Sequence, residues 1–378
     1  MFLKHLVINN FKNIAHAELI FSPKINCITG NNGEGKTNLL DAVYYLSMTK
    51  SFFHYPDMFS IKHNEQFTVL HGNYEMSDNT INKIALSFTK HSKNESAKEN
   101  INTKILKKND KVYKKFSEHI GKFPIVMVSP ADISLVVSGA EERRRFINQL
   151  ISQIDNEYLL NVQNYNKLLI QRNKYLKEEN ISEDFLEVLN LKLSECAKFI
   201  YCKRAEMVKL LNESVSEYYN NISGGREKVN IKYISDLDKG DLLSLLKKSF
   251  HRDKELRFTT LGVHKDDFLF EQSDIDNIFT PIKRCASQGQ QKCFLISLKL
   301  AQYNIIKRLN GGIAPILLLD DIFDKLDMNR VEFLLSMVSG DNFGQIFITD
   351  SNKVRMNTLI DKVGGECKDF NVKEGVIE

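Results

Sequence analysis

The chain has 378 residues, enough for one large domain or two ordinary ones with a buried core. Hydrophobic residues make up 42% and charged residues 26%, a globular balance that excludes a disordered or fibrous chain. The net charge of +4 is too small to mark a nucleic-acid binder by itself, so any such surface must come from local clusters of basic side chains.

In chain order, Phe2–Ile8 and Ala15–Phe21 read as strands, and Ile25–Thr29 as a short buried strand that ends at Gly30. A glycine-rich turn, Gly30–Gly35, leads into a predicted helix from Lys36 to about Ser47, with Leu39, Leu40, Val43 and Leu46 on one face. Two further strands are expected within 67–88. The stretch from about Lys90 to Lys122 is rich in Lys, Asn and Ser, and its part near 91–102 reads as a hairpin tip or loop. Its lysines, Lys104 to Lys115, form a charge run of the kind that is usually a solvated face. Phe123–Val128 reads as a strand. From Ile133 to Asn221 apolar residues recur at helical spacing. Ser182 is placed to cap one helix and Gly224-Gly225 to end it. This block is too short for an extended coiled-coil arm. Pro315–Leu319 and Gln345–Thr349 read as buried strands, and there are no internal repeats.

The longest purely aliphatic run, Ile316–Leu319, could not span a bilayer, and the N-terminus lacks a signal-peptide core. No membrane association and a cytoplasmic location are therefore expected. The six cysteines form no CxxC pair and have no His cluster beside them, which gives no zinc signature and fits a reducing compartment.

Chemistry concentrates in three places. Gly30-Asn31-Asn32-Gly33-Glu34-Gly35-Lys36-Thr37 matches G-x-x-x-x-G-K-[ST], the Walker A pattern. Its glycines let backbone N–H groups surround a β-phosphate. Lys36 bridges the β- and γ-phosphates, the Thr37 hydroxyl ligates Mg²⁺, and the helix N-terminus adds its positive end. Ile316–Asp320 has the form of a Walker B strand: Asp320 is expected to hold Mg²⁺, and Asp321 to polarise the attacking water. Shortly before it, Ser287-Gln-Gly289-Gln290-Gln-Lys292 opens a helix. A Ser and a Gly there look like the signature of ABC ATPases, which completes the nucleotide site of a second protomer. Phe323-Asp-Lys-Leu-Asp327 looks like the D-loop of the same superfamily. ATP and Mg²⁺ are the cofactors this set calls for.

Further segments resemble the RecF family of ABC/SMC-type ATPases: Phe11-Lys-Asn13, the extension of the loop to Asn38, Ser129-Pro-Ala-Asp-Ile133, and Gly139 followed by Arg143-Arg-Arg-Phe146. Leu168–Lys174, Gly262-Val-His-Lys-Asp-Asp267 and Ala286–Lys292 add to them. The resemblance implies an α/β P-loop ATPase head with a mixed-sheet lobe, an inserted helical lobe and no long coiled coil. The expected division is 1–128 (Walker A), 129–300 (helical lobe, with the signature near its end) and 301–378 (Walker B and D-loop). It also implies Ser287, Gly289 and Gln290 acting on ATP in trans, with Lys36, Asp320, Asp321 and Ser287 as the catalytic set. Asn38 joins the loop residues in holding nucleotide. An ATP-dependent homodimer on duplex or gapped DNA is implied, with RecR and RecO as partners.

The chain departs from the family pattern in places. Val263 and Lys265 stand where the family has Pro and Arg, which removes a bidentate contact. Asp321 stands where most ABC ATPases have Glu, which favours slow hydrolysis, and Asp350 where many have a switch His. The Ser129–Asp132 turn is the best candidate for a Q-loop. Arg143–Arg145 span about 200° of helical arc, so they cannot all face one ligand, and at least one is expected in an internal ion pair. The ATPase subunit of an ABC transporter is the competing reading, with a P-loop kinase behind it.

Overall fold

A computed structural model of the chain describes residues 1–90, 103–179, 182–224, 227–273, 278–322, 340, 342–352 and 367–378. The chain forms two compact units, Met1–Asp132 with Ile306–Glu378, and Ile133–Ile305. The junctions fall a few residues beyond 128 and 300, the boundaries drawn from sequence. At the first, the Ser129–Asp132 turn stays with the strand before it, because the Asp132 carboxylate accepts the Ser129 N–H at 2.8 Å. At the second, the division falls within one long helix, so no break in pattern marks it.

In the first unit, β1 (Phe2–Phe11), β2 (Ile14–Ile20), β4 (Phe67–Glu75), β5 (Ile81–Thr89), β6 (Thr103–Lys108) and β7 (Lys111–Val112) form an antiparallel sheet in the order β2-β1-β4-β5-β6-β7. In β4 burial alternates residue by residue, with Thr68, Leu70, Gly72 and Tyr74 inside, as expected of a strand with one face on a core. Part of the lysine-rich stretch is sheet rather than loop. Asn109 and Asp110, with φ of 48° and 64°, make a two-residue turn that sets Lys108 opposite Lys111. Residues 91–102, expected as a hairpin tip, lie outside the described residues.

The second sheet is mainly parallel. β3 (Ile25–Thr29), β8 (Ile125–Val128), β12 (Ile316–Leu319), β13 (Ile346–Asp350), β14 (Cys367–Lys373) and β15 (Val376–Ile377) lie in the order β15-β14-β3-β13-β12-β8. The helix α1 (Lys36–Met48) touches strands of both sheets, β1, β4 and β5 on one side and β8 and β13 on the other. A one-sided helix was expected, yet eleven of its thirteen residues are buried, because apolar layers cover it on two sides. Asp41, on that helix, has no exposed surface. Its charge is met by Lys12 Nζ at 2.6 Å, with further bonds from the Ser51 hydroxyl and the Phe52 N–H.

The second unit contains α2 (Ser134–Val137), α3 (Ala140–Ser152), α4 (Asn156–Tyr175), α5 (Glu183–Ser223), α6 (Leu242–Leu256), α7 (Ile282–Cys285) and most of α8 (Gln288–Leu309). It also holds a three-stranded antiparallel sheet of β9 (Val229–Ile234), β10 (Asp267–Ser273) and β11 (Phe279–Pro281). The Ser182 hydroxyl caps α5 by accepting from Phe185 N, and Gly224, at φ 80°, ends it. At 41 residues α5 is about 60 Å long. It packs along α4 as an antiparallel hairpin. Among the described residues, no helix is long and apolar enough to cross a membrane.

Candidate nucleotide site

In the parallel sheet, β3, β13, β12 and β8 end at one edge, and Leu319 lies opposite both Ile348 and Val128. That register places Gly30, Thr349, Asp320 and Ser129 along the C-terminal rim, where open α/β sheets bind ligands.

The loop Gly30–Thr37 is built against this rim. Gly30, at φ 151°, lies so close to β14 that a Cβ would come 2.3 Å from the Val372 carbonyl oxygen. Gly35, at φ 120°, would set a Cβ 2.6 Å from Asn13 Nδ2. Both positions require glycine for conformation and for space. Lys36 is buried, and its ammonium donates to the carbonyls of Gly30 at 2.9 Å and Asn31 at 3.0 Å, so it lies over the loop. Asn31, Asn32 and Gly33 are exposed at the tip.

Asp320 is the centre of the site. Its carboxylate receives Thr37 Oγ1 at 2.9 and 3.1 Å, Thr349 Oγ1 at 2.9 Å and Ser129 Oγ at 3.4 Å. Burial raises its pKa above the ordinary carboxylate value. The hydroxyls of Thr349 and Thr37 oppose that rise, and the neighbouring Asp321 charge adds to it. Asp321 follows with left-handed backbone, φ 43°, and its N–H donates to Thr349 Oγ1 at 2.9 Å. Thr349 therefore ties both aspartates to the end of β13. Asp350 is buried and accepts from Asn352 N at 2.8 Å.

The sequence pattern gave no role to Asn13 and Thr349, and none beyond a Q-loop candidacy to Ser129. Asn13 donates to the Glu34 carbonyl at 2.9 Å and accepts from Asn38 Nδ2 at 2.8 Å, so the Phe11-Lys-Asn13 turn braces the loop from outside. Its only signal was the resemblance that Phe11-Lys-Asn13 carries. Thr349 had none, since a Thr closing an apolar strand is unremarkable by composition.

In the second unit, Ser287 is exposed at the start of α8. Its N–H donates to Gln290 Oε1 at 2.7 Å while its hydroxyl accepts from Gln290 N at 3.2 Å, a reciprocal capping box. Gln290 also donates to Glu227 at 2.6 Å. Gly289 sits in the first turn of the helix. The segment Phe323–Asp327, expected as the D-loop, lies outside the described residues.

The three arginines after Gly139 are all engaged. Arg143 forms a bidentate pair with Asp267 at 2.8 and 3.1 Å, Arg144 donates to the Asp266 carbonyl at 2.7 Å, and Arg145 pairs with Glu142 at 2.7 Å and Glu141 at 2.9 Å. Lys265 is exposed, with its ammonium 5.4 Å from the Phe258 ring centre.

The RecF/RecN/SMC N-terminal domain family matches residues 2–368. The DNA replication and repair protein RecF of Phocaeicola vulgatus is 43% identical over all of this chain and 98% of its own length. That of Bacteroides fragilis is 44% identical with the same coverage. The chain belongs to the RecF family. A solved structure of the recombination mediator protein RecF with ATP, in the RecFOR pathway, superposes with a TM-score of 0.85 at 30% identity, covering all of this chain and 97% of that one. An Smc head domain from Pyrococcus furiosus shares the fold, with a TM-score of 0.55 at 15% identity. The α/β ATPase-head architecture is thus that of RecF and SMC heads, and family membership sets aside the transporter and kinase readings.

Proposed function

We propose that this RecF-family chain is an ATP-dependent DNA-binding protein of recombinational repair. Two copies close around ATP, bind DNA, and reopen after slow hydrolysis. The observation that carries this reading is the convergence of the Thr37, Ser129 and Thr349 hydroxyls on one buried carboxylate, Asp320, directly beside the Lys36 loop.

In this reading the loop N–H groups and Lys36 bind the phosphates, exchanging the carbonyls of Gly30 and Asn31 for phosphate oxygens. Asn38 and Glu34 hold the loop's outer wall through Asn13. All the side-chain hydrogen bonds that Asp320 receives among the described residues come from neutral hydroxyls, so none of those bonded partners is a cation that Mg²⁺ would have to displace. Thr37 and Asp320 fit Mg²⁺ and would hold it, where it would neutralise charge on the β- and γ-phosphates. Asp321 orients the attacking water and accepts its proton. The short Asp side chain reaches less far than Glu, which keeps turnover slow. Ser287, with Gly289 and Gln290 at the positive end of α8, contacts the γ-phosphate of the partner copy's ATP. Closure aligns basic surfaces of two copies on the phosphate backbone, which makes binding salt-sensitive and weakly sequence-selective. Loading of recombinase at gaps, with RecR and RecO, is the role we infer for it, supported by the family and by the RecFOR pathway named for its solved relative.

The test is fluorescence anisotropy of a labelled duplex at fixed salt, without nucleotide, with ADP and with ATP, alongside light scattering for mass. Binding and dimerisation should appear only with ATP. Lys36→Ala should abolish both. Ser287→Arg should bind ATP as a monomer and fail to dimerise. A Ser287→Arg protein that dimerises normally would overturn the trans site.

A further inference from the structure

We propose that Cys27, Cys367 and Asp369 form a binding site for one thiophilic divalent cation of the zinc class, on the sheet face behind the nucleotide loop. Cys27 lies on β3 and Cys367 on the adjacent parallel strand β14. Their Sγ atoms are 3.5 Å apart, although 340 residues separate them in sequence. The Cys367 Sγ is 3.8 Å from Asp369 Oδ1, and one ligand atom from each of the three residues lies within 4.8 Å of the others. No spacing rule could have found this cluster.

The geometry favours a shared ion over a disulfide. Cys27 is in register with Asp369, and Cys367 with Ile25, so the two cysteines are diagonal neighbours. Diagonal Cα atoms in a sheet are about 7–8 Å apart. A disulfide needs a Cα separation below roughly 7 Å and an S–S length near 2.05 Å, so the strands would have to move. Two thiolates on one tetrahedral ion, each at about 2.3 Å, sit roughly 3.7 Å apart, close to the spacing present. Asp369, in register with Cys27, supplies an oxygen on the same face. Cys27 is buried, Cys367 half-buried and Asp369 exposed, so an ion can enter from solvent and keep a water as fourth ligand.

The electrostatics agree. The contact between the two sulfurs raises the Cys27 pKa and lowers that of Cys367, and the Asp369 carboxylate opposes negative charge on either sulfur. A bound cation would turn that repulsion into attraction. The site also bears on the nucleotide loop. Beyond it, β14 places the Val372 carbonyl against Gly30, and the Gly375 N–H donates to the Glu34 carbonyl at 2.9 Å. A bound ion would fasten β14 to β3 and so stiffen the outer wall of the loop.

The test uses the full chain, reduced, stripped with chelator and titrated with Co²⁺, then Zn²⁺. One equivalent of Co²⁺ should give a thiolate-to-cobalt charge-transfer band that Zn²⁺ displaces, and Zn²⁺ should raise the unfolding temperature. Cys367→Ala, on the half-buried residue of β14, should lose the band and the temperature shift while keeping its far-UV circular dichroism. Asp369→Asn should keep the band and weaken binding by roughly tenfold or more. The Cys202→Ser/Cys285→Ser double variant removes the two exposed thiols and should behave as the parent. Absence of the band, its survival in Cys367→Ala, or its loss in the double variant would overturn the proposal. So would oxidation of Cys27 and Cys367 to a disulfide in the metal-free protein under air.

Discussion

Alanine at Gly30, Gly33 and Gly35 separates backbone strain from crowding within one loop. All three have positive φ, at 151°, 86° and 120°. Such backbone costs alanine about 1–2 kcal/mol wherever it occurs. At Gly33 nothing lies within 4 Å of the added Cβ, so that is the whole cost. At Gly30 the added atom would sit 2.3 Å from the Val372 carbonyl oxygen, a backbone atom of the adjacent strand, so β3 and β14 must part. Overpacking of that kind adds roughly 1–3 kcal/mol, for a total of about 2–5. Gly35 falls between them. Its obstacle is the Asn13 side chain, which can turn away at the loss of its bonds to Glu34 and Asn38, about 1 kcal/mol each. Urea unfolding midpoints and binding of a fluorescent ATP analogue should both follow the order Gly33→Ala, Gly35→Ala, Gly30→Ala, from mildest to most severe. If Gly33→Ala costs as much as Gly30→Ala, the packing of the loop against β14 is not what holds it.

Three further outcomes are expected. Burial lowers the pKa of both His119 and His264 from 6.5 to about 4. In His119 the nearby Lys122 and Lys108 add to the effect, and in His264 Lys265 and Arg144 do, while bonds to the Leu46 and Thr259 carbonyls oppose it. The unfolded chain therefore takes up protons that the folded chain refuses. Stability should be full above pH 6.5 and fall through the window down to about 4, by up to about 1.4 kcal/mol per pH unit for each histidine. His119→Gln should flatten the pH dependence of the unfolding midpoint by about half, and an unchanged slope would discount that residue. Asn13→Ala removes one brace of the loop and should weaken ATP binding about fivefold, or roughly 1 kcal/mol, with circular dichroism unchanged; unaltered affinity would show that the loop stands without it. Arg172→Met leaves Asp253 buried without its counter-charge and should destabilise by about 3–5 kcal/mol. Adding Asp253→Asn should restore part of that loss, and equal loss in the double variant would place the cost in packing instead.

The first unit was largely legible because its strands are short and bounded by turn residues, and because Walker A chemistry has a strict spacing. The helix after Lys36 was read correctly in extent but not in environment. Nothing in the sequence marks its polar positions Asp41 and Ser47 as buried, and only the partner contacts, Lys12 on Asp41 and Tyr74 on Ser47, show why they are inside. Asp320 was found from its strand, whereas its donors Ser129 and Thr349 were not assigned to it, since they come from separate strand ends that only the sheet order brings together. Residues between Gly224 and Phe258 carry weak periodicity, and they hold β9 and α6. The sheet that β9 forms with β10 depends on a pairing across more than thirty residues, which local pattern does not encode.

The family-type blocks outside the nucleotide loop invite a ligand-binding interpretation, since they are rich in Arg, His and Asp. In the second unit they are spent on one another. Arg172 from the Gln171-Arg172-Asn173 block reaches Asp253, Thr259 and Asn190, and Asn173 holds Thr259. Arg204 bonds Asp266 and the Val263 carbonyl, while His264 lies between Tyr165 and the Thr259 carbonyl. Gly262, at φ 130°, approaches Tyr165 so closely that a Cβ would fall 2.6 Å from its hydroxyl. Most of these bonds fasten the segment 259–267 to α4 or α5, and the others tie α4 to α5 and α6, so the blocks fix the shape of the helical unit. That explains how Lys265 can replace the family arginine. The position is exposed beside Phe258 and carries none of those bonds, and the lysine still sets its cation over the Phe258 ring. Val263 is tolerated for a related reason: its carbonyl, which proline would also present, is the group that Arg204 takes. Nucleotide chemistry is then left to the rim of the parallel sheet and the start of α8, where ATP is proposed to bind.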